Sequence, residues 1–599
     1  MSNKNKENQK EKKEKYYCKS ELLSRGWTKK LIDDFLPSPQ YKRNPHYRSA
    51  PDMQVWLESV VLETENSENF KEALSKITAR RANKKAKEEN RKKEMKEKVE
   101  NLIPENPINE YPLARSIKRK FILHIGPTNS GKTYNSLERL KGAKKGAYLA
   151  PLRLLALEIY DKFNADGIPC SMLTGEEFID NPSGRIIAST IEMMDTSSRY
   201  DVVVIDEVQM ISDQRRGHSW TKAILGMYAD EIHLCMAPEA EKIAIGLINE
   251  CGDTFEVMRH ERATALTFEH LKFDITKAKP GDALIVFSRR SVLTLAADLE
   301  TIGIKASVIY GNLPPSSRRE QVRRFLEGET QVVVSTDAIG MGINLPIRRV
   351  VFMETWKYDG ERQRRLLPQE IKQIAGRAGR FGMYDEGYVL SVGDRKYIEN
   401  ALHQDVEPID RAYLGLSEEI ATLPYPLPEI AEAWESLESP ELYRKMDMTE
   451  ILELHSMLVT RTKGTSLCSR DEIYKMVTCS VDQRNTTVLS LWLEYCITFK
   501  TFPNLRFPSW SSSQLGDLED AYKCMDLYFQ FSRRLNKTID YDRLMKEKIA
   551  VAKKINDILR QQKSKFQKRC SCCSKPLPYN SRFGLCEECY AERAFDSRW

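Results

Sequence analysis

Residues 121–140 read FILHIGPTNSGKTYNSLERL, and the fold is decided there. Phe121–Ile125 is a short, wholly apolar-to-neutral run of strand length, and TYNSLERL is a helix opening directly after it. Between them Gly126-Pro127-Thr128-Asn129-Ser130-Gly131-Lys132-Thr133 satisfies GxxxxGK[ST] at every fixed position. The glycines let the main chain curl, so that N–H groups at the head of the helix converge on phosphate oxygens. Lys132 is then placed to reach the β- and γ-phosphates of a nucleotide, and Thr133 to ligate Mg²⁺.

Outward from this loop the texture is that of βα units. GAYLAP, RIIAST, DVVVIDE and EIHLCMAP, then ALTFEHL, ALIVFSR, ASVIYG, QVVVSTD, RRVVFME and GYVLSVG, alternate with helix-length segments up to about residue 395. Strands buried on both faces of a parallel sheet read as such continuous apolar runs. Eleven or more strands exceed one ordinary doubly wound sheet, so the spacing predicts two consecutive α/β domains, 111–265 and 266–410.

Two further motifs carry chemistry. Asp206-Glu207-Val208-Gln209 closes the strand DVVVI, 74 residues after Lys132. Carboxylates at the C-terminal end of a parallel strand face the ligand crevice. Asp206 is expected on the Mg²⁺ side, and Glu207 to orient and deprotonate the attacking water. In the second domain, Gln373-Ile-Ala-Gly376-Arg377-Ala-Gly379-Arg380 puts Gln373, Arg377 and Arg380 on one face if it is helical, with small residues permitting close approach. Arginine from an adjoining domain is what a phosphoryl-transfer transition state requires.

The ends differ from this middle. The whole chain carries a net charge of +7, yet residues 1–20 hold seven Lys against three Glu, and residues 71–100 hold twelve Lys or Arg against six Glu. The positive charge is thus segregated towards one end. Residues 1–16 form a charged low-complexity tail read as disordered, and 17–110 a helical module. Its segment 68–100 is a single long helix, either solvated along another domain or contacting phosphates as a basic arm. Residues 411–562 are predicted to be helical. The last part, 563–599, holds Cys570-x-x-Cys573 and, twelve residues on, Cys586-x-x-Cys589, with Cys572 as a spare thiol. Two CxxC knuckles offer four thiolates to a structural Zn²⁺. The eight histidines show no ligand or triad spacing, and His124 and His233 are read as satisfied core residues. The aromatic run DAYKCMDLYFQF is read as core packing.

Taken in order, GPTNSGKT, APLRLLALE, TGEE, STIEM, VIDEVQMI, HLCMAPEA, VFSRRSV, VIYGNLPP, STDAIGMGINL and QIAGRAGRFG resemble the mitochondrial degradosome RNA helicase family (suppressor of Var-three type) of the superfamily-two helicases. The resemblance covers residues 111–400 densely and the following helical segment weakly. It implies two tandem RecA-like domains with helical N- and C-terminal modules, the small Cys₄ zinc ribbon standing outside the match. It also implies ATP and Mg²⁺ as ligands, 3′→5′ polarity, and room for an exoribonuclease partner in RNA turnover. On this resemblance Lys132, Thr133, Asp206 and Glu207 bind and hydrolyse ATP, with Gly126–Thr133, Asp337 and Gly340 lining the nucleotide. Gln373 stands beside the phosphates, and Arg377 and Arg380 act as arginine fingers. Pro151, Arg153, Thr174, Gly175, Thr190, Ser288, Arg289, Gly311 and Thr336 lie in motifs that hold the nucleic-acid strand. CMAPEA, residues 235–240, departs from the more polar, glycine-containing stretch of the family and puts coupling between ATP and strand separation in question.

No run of about 18 apolar residues appears, so no membrane-spanning helix is expected. The start lacks an apolar core, contains acids and is Lys-rich rather than Arg/Ser-rich. The composition points to a bacterial cytoplasm, although the family resemblance pulls towards mitochondria. The function expected is an ATP-dependent RNA helicase; a DNA helicase, or an ATP-regulated nucleic-acid clamp that does not unwind, are the alternatives.

Overall fold

The structure is a computed structural model that describes residues 14–43, 51–262, 264–340, 345–380, 382–462, 468–561, 563–581 and 583–596. The charged tail therefore lies outside the described residues as far as residue 13. The chain divides into two compact units, 1–98 and 99–599.

In the first unit, strands Tyr16–Cys18, Gln40–Lys42 and Met53–Leu57 form an antiparallel sheet beside three short helices. Leu22, Trp27, Leu31, Trp56 and Phe70 make its core. The helical reading of residues 17–110 is thereby corrected by a small sheet; its strands are only three to five residues long, too short to show an alternation. Helix Glu68–Leu102 is continuous, as expected from its composition. It is laced by i,i+4 ion pairs such as Lys76–Glu72 at 2.7 Å and Lys98–Glu94 at 2.9 Å.

The second unit holds two large, mainly parallel sheets besides two two-stranded ones. The first runs, edge to edge, Thr254–Arg259, Lys120–Ile125, Ala229–Met236, Tyr200–Ile205, Gly146–Ala150, Ile186–Thr190, Cys170–Leu173 and Phe178–Ile179, the last antiparallel to its neighbour. The strand Ala229–Met236 thus lies between the strand that feeds the phosphate loop and the strand that ends at Asp206. Three chemical segments, 126–133, 206–209 and 237–240, consequently leave the sheet side by side at its carboxyl edge. The second sheet runs Ala265–Phe268, Glu386–Ser391, Arg349–Phe352, Asp282–Ile285, Val332–Ser335 and Ala306–Ile309, all parallel. Phe121, Val203, Ile205, Trp220 and Ile232 are fully buried in the first core, and Val333, Val350 and Phe352 in the second. Such two-sided burial is what the apolar runs signalled.

Residues 427–561 are mainly helical, with Leu515–Arg534 and Tyr541–Gln561 packed on each other. The four-cysteine segment sits against helix Arg289–Thr301 of the second sheet domain: Thr294 Oγ1 donates to Phe566 O at 3.3 Å, and Tyr579 N to Asp298 Oδ2 at 2.7 Å. Among the described residues no helix is long and apolar enough to cross a membrane.

Candidate nucleotide site and nucleic-acid cleft

The phosphate loop is shaped by residues that cannot be larger. A Cβ on Gly126 would stand 2.3 Å from His260 O, and Gly131 has φ +83°, a left-handed conformation that favours glycine. Lys132 is buried and donates through Nζ to Gly126 O (2.9 Å) and Pro127 O (3.0 Å), so its ammonium is held within the loop. Ser130 Oγ is buried without a hydrogen-bond partner. A cradle closed to side chains, an orphaned hydroxyl and a buried ammonium suit a polyphosphate.

Asp206 meets this loop from the neighbouring strand. Its Oδ1 accepts from Thr133 Oγ1 (3.3 Å) and from Glu207 N (3.0 Å), and its Oδ2 from the phenol of Tyr148 (2.7 Å). Tyr148 is fully buried, and Trp220 Nε1 fixes the Asp206 carbonyl at 3.0 Å. Burial, with the Glu207 charge adding to it, pushes the Asp206 carboxyl up to about 6. A buried carboxylate and a hydroxyl facing each other at 3.3 Å form a donor set that fits a hard divalent cation. Glu207 has φ +52°, a turn that swings its side chain out of the strand direction. Gln209 donates to Glu207 Oε2, and its own Oε1 accepts from Ala237 N at 3.1 Å. The CMAPEA stretch is therefore joined to the acidic motif through main chain, a contact that does not need the polar side chains it lacks.

The second sheet domain reaches this site with residues 376–380. The helix there is Pro368–Ala375, so Gln373 is helical but Arg377 and Arg380 are not. The conditional helical face over Gln373, Arg377 and Arg380 does not form. Gly379 takes φ +70°, a Cβ on it would meet Gly387 N at 2.7 Å, and Ala378 bridges to Ile347. A turn results, and it packs directly on the phosphate loop: Asn129 Nδ2 donates to Gly379 O at 2.9 Å, and a Cβ on Gly376 would lie 2.7 Å from Thr128 Cβ. Arg262, in the chain joining the domains, donates to Gly376 O at 2.9 Å and to Ala378 O. Arg377 donates to Gly340 O at 2.6 Å and lies in the field of Glu207 and Asp206, while burial pulls its guanidinium below its ordinary value. Glu158 feels the charge of both Arg377 and Arg380. Gln373 lies beside Gly340, whose Cβ position would be 3.6 Å from Gln373 Cγ. Asp337 is held by Lys357 at 2.8 Å.

A cleft of about 1170 Å³ opens between both sheet domains and the helical module. Pro151, Arg153, Gly175, Thr190 and Gly311 line it, together with Lys523 and Gln530 of helix Leu515–Arg534. The aromatic residues of that helix are buried as expected, and Glu519, Asp526 and Arg534 join Lys523 and Gln530 on the cleft wall beside Tyr522. The other four candidates for strand contact do not line it. Thr174 is fully buried and bonds to Glu177 O, Ser288 caps helix Arg289–Thr301 through Ser291 N, Thr336 accepts from Ala338 N, and Arg289 pairs with Glu519 at 3.1 Å. Arg153, although on the wall, spends its guanidinium on Glu177 (2.7 Å) and Asp526 (3.2 Å). It ties the first sheet domain to the helical module.

Sequence reading missed Tyr148, Asn129's reach to Gly379, and Arg262, because each acts across tens to hundreds of residues. It also missed a histidine chain. Glu231 Oε1 lies 2.7 Å from His233 Nε2, His233 Nδ1 2.8 Å from His124 Nε2, and His124 Nδ1 3.0 Å from His260 Nε2. Burial pushes His124 down to about 4. At the other end of the chain, the Sγ atoms of Cys570, Cys573, Cys586 and Cys589 all lie within 4.8 Å of one another, and Cys572 is outside that group. Cys586 N donates to Cys570 Sγ at 3.3 Å, and N–H groups led by that of Cys573 hold the Cys570 thiol below its ordinary value. Four converging sulfurs with backbone N–H support are a soft donor set.

Comparison with known proteins agrees with this geometry. Residues 107–260 match the DEXQ-box helicase domain of Suv3, and residues 265–382 match the helicase conserved C-terminal domain. The rice protein "ATP-dependent RNA helicase SUV3L, mitochondrial" is 36% identical over 444 residues, 70% of this chain and 60% of its own length. "ATP-dependent RNA helicase SUV3, mitochondrial" of Candida albicans is 43% identical over 318 residues, 51% of this chain and 44% of its own length. The chain thus spans about half of the length of these curated relatives. The solved structure "S. cerevisiae Dbp5 bound to RNA and ADP BeF3" is 17% identical, with a TM-score of 0.38, and covers 51% of this chain and 89% of its own. Both curated relatives are named mitochondrial, which overturns the expectation of a bacterial cytoplasm. A Lys-rich start reports electrostatics, and electrostatics does not specify an address. The chain thus carries a Suv3-type DEXQ-box helicase domain followed directly by a helicase conserved C-terminal domain, and is similar over 70% of its length to an ATP-dependent RNA helicase of the same Suv3 type.

Proposed function

We propose that the chain is an ATP-dependent RNA helicase that moves a single RNA strand, 3′→5′, through the cleft between its sheet domains and the helical module, in mitochondrial RNA turnover. The observation that carries this reading is the packing of Gly376–Arg380 on the phosphate loop, on a body whose cleft is walled by both sheet domains. A hydrolysis site shared by two domains changes when its nucleotide changes, and the strand held by the same two domains moves with it.

In this reading the main chain of Gly126–Thr133 wraps the phosphates, and Lys132 neutralises the β/γ oxygens. Thr133 and Asp206 hold Mg²⁺, which when bound offsets the charge of the polyphosphate. Tyr148 fixes the Asp206 oxygen. Glu207, oriented by Gln209, takes the proton of the attacking water. Arg377 and Arg380 stabilise the transferred phosphoryl group, with Gln373, Asp337 and Gly340 beside the nucleotide. Pro151, Gly175, Thr190 and Gly311 grip the RNA backbone through small groups and main chain, with Arg153, Thr174, Ser288, Arg289 and Thr336 supporting those contacts. Cys570, Cys573, Cys586 and Cys589 bind a structural Zn²⁺: a Zn–S bond of about 2.3 Å places tetrahedral sulfurs roughly 3.8 Å apart, close to the 3.6 Å between Cys573 and Cys586.

The test is strand separation on matched RNA and DNA duplexes with 3′ or 5′ overhangs, with wild type and Lys132→Ala. ATP-dependent opening of the RNA duplex from its 3′ overhang, lost in Lys132→Ala, is expected. Nucleic-acid-stimulated hydrolysis with no separation of any duplex would replace helicase by clamp, and preference for DNA would change the substrate.

A further inference from the structure

A second cavity, of about 490 Å³, lies where the four-cysteine segment meets the second sheet domain. Arg289, Arg290 and Thr294 line it from helix Arg289–Thr301, and Lys568, Arg569 and Ser571 from the cysteine segment. Four cations thus face one small space, and no carboxylate is among its lining residues. Two of them are positioned without being neutralised: Lys568 Nζ donates to Ser581 O, and Arg569 Nη1 to Ser574 O at 3.1 Å. Carbonyl partners satisfy hydrogen bonds but leave the full positive charge for a ligand. Arg290 has no ion-pair partner among the described residues. The walls are fixed to each other through Thr294–Phe566 and Asp298–Tyr579, so the cavity is a built feature of the interface.

Its position gives it a ligand. Arg289 lines this cavity and is 3.1 Å from Glu519, which lines the large cleft. One ion pair therefore separates the two spaces, and a chain leaving the cleft past Arg289 enters the cations. We propose that this cavity is a second phosphate-backbone site, which the cysteine module builds onto the motor to hold the nucleic-acid strand just outside the cleft. The inference rests on the helicase reading for the identity of the strand. It assigns the cysteine segment a role in binding beyond its fold. Recognition is of phosphodiester charge, with no base contact required, since every charged group lining the site is a cation and Gln567 is its one long neutral polar side chain.

The experiment measures equilibrium binding of single-stranded RNA to the full chain, without nucleotide, as a function of oligonucleotide length and salt. A strand of about 8 nucleotides fills one binding groove, and one of about 20 spans a groove and its exit. Wild type is expected to bind the longer strand more tightly and with a steeper salt dependence. Arg290→Glu and Lys568→Glu should each remove most of the length advantage, about tenfold in affinity, and lower the salt slope by about 0.7 for each phosphate that is no longer neutralised. Affinity for the short strand should stay within about twofold. Arg290 lies on the sheet domain, away from the sulfurs, so it tests the site even if Lys568→Glu disturbs the cysteine segment.

Equal length dependence in wild type and Arg290→Glu would overturn the site. So would an equal loss for short and long strands, which would place the cations in the main cleft. Competition by polyglutamate as strong as that by RNA would assign the cavity to acidic protein segments. Wild type that binds no RNA of either length would bring down the helicase reading with it, whereas loss of the length effect alone would leave that reading standing.

Discussion

Replacing Tyr148 with phenylalanine removes one oxygen from a fully buried ring and should alter how tightly the motor holds Mg²⁺. Tyr148 Oη donates to Asp206 Oδ2 at 2.7 Å, while the other carboxylate oxygen takes Thr133 and Glu207 N. The phenol is thus the donor that orients the Oδ2 side, and phenylalanine keeps the packing of a ring with no exposure. A hydrogen bond to an ionised group is worth about 1.5–3 kcal/mol. Since about 1.4 kcal/mol is a factor of ten, the expected cost is roughly 10- to 100-fold in the Mg²⁺ concentration that half-saturates ATP hydrolysis, the range seen when a ligand's supporting partner is removed. The assay is steady-state hydrolysis at saturating RNA, titrated with Mg²⁺. Recovery of near wild-type rate at high Mg²⁺ identifies Tyr148 as a positioning residue for Asp206. An unchanged half-saturation, with or without a lower maximal rate, would refute the assignment of Asp206 to the cation.

Three other outcomes follow from the same geometry. Gly376→Ala sets a methyl 2.7 Å from Thr128 Cβ and 2.8 Å from Lys372 O, so the turn must back away from the phosphate loop; RNA-stimulated hydrolysis should fall at least about tenfold while nucleotide binding persists, because a misplacement near 1 Å costs about 100-fold in geometry-dependent chemistry. Burial pushes the Glu519 carboxyl up to about 7 even though Arg289 is close, so the folded chain keeps a proton that the unfolded chain releases nearer its ordinary value. Stability should therefore fall as pH rises from about 4.5 to 7, by up to about 3 kcal/mol from this group, and Glu519→Gln should flatten that part of a urea-midpoint profile between pH 4.5 and 8. Metal analysis should find about one Zn²⁺ per chain in wild type and Cys572→Ser and none at that site in Cys586→Ser, whose cysteine segment should also become protease-sensitive.

The parts legible in sequence are those whose chemistry is contiguous. The phosphate loop needs a strand, two glycines, a lysine and a hydroxyl within eight residues, and Asp206-Glu207 needs only the strand end that carries it; both sit where the pattern placed them. The paired sheets were legible because two-sided burial forces unbroken apolar runs. Residues 373–380 were harder: i,i+4 spacing suits a continued helix while Gly376 and Gly379 weaken one, and what settles the turn is the close approach of Gly379 to Gly387, a tertiary contact. Arg153 illustrates the same limit: the family resemblance implies a strand-holding position for it, while Asp526, which pairs with it, lies 373 residues away. The chain from Glu231 to His260 has no sequence signature because two strands and the residue just after a third supply its parts. Composition carries no information on location that could stand against the mitochondrial relatives, because the same lysines suit a polyanion in any compartment.

Arg377 tests the central claim most directly, since it reaches from the second sheet domain into the field of Asp206 and Glu207. Single-turnover hydrolysis of ATP at saturating RNA, with nucleotide affinity measured alongside, compares wild type with Arg377→Ala. An arginine that stabilises the phosphoryl transition state supplies about 10³-fold or more, so the variant should lose that much in rate while its ATP affinity stays within a few-fold. A variant that hydrolyses ATP at the wild-type rate would show that the nucleotide site belongs to the first domain alone, and the coupling of hydrolysis to strand movement proposed for this chain would have no basis.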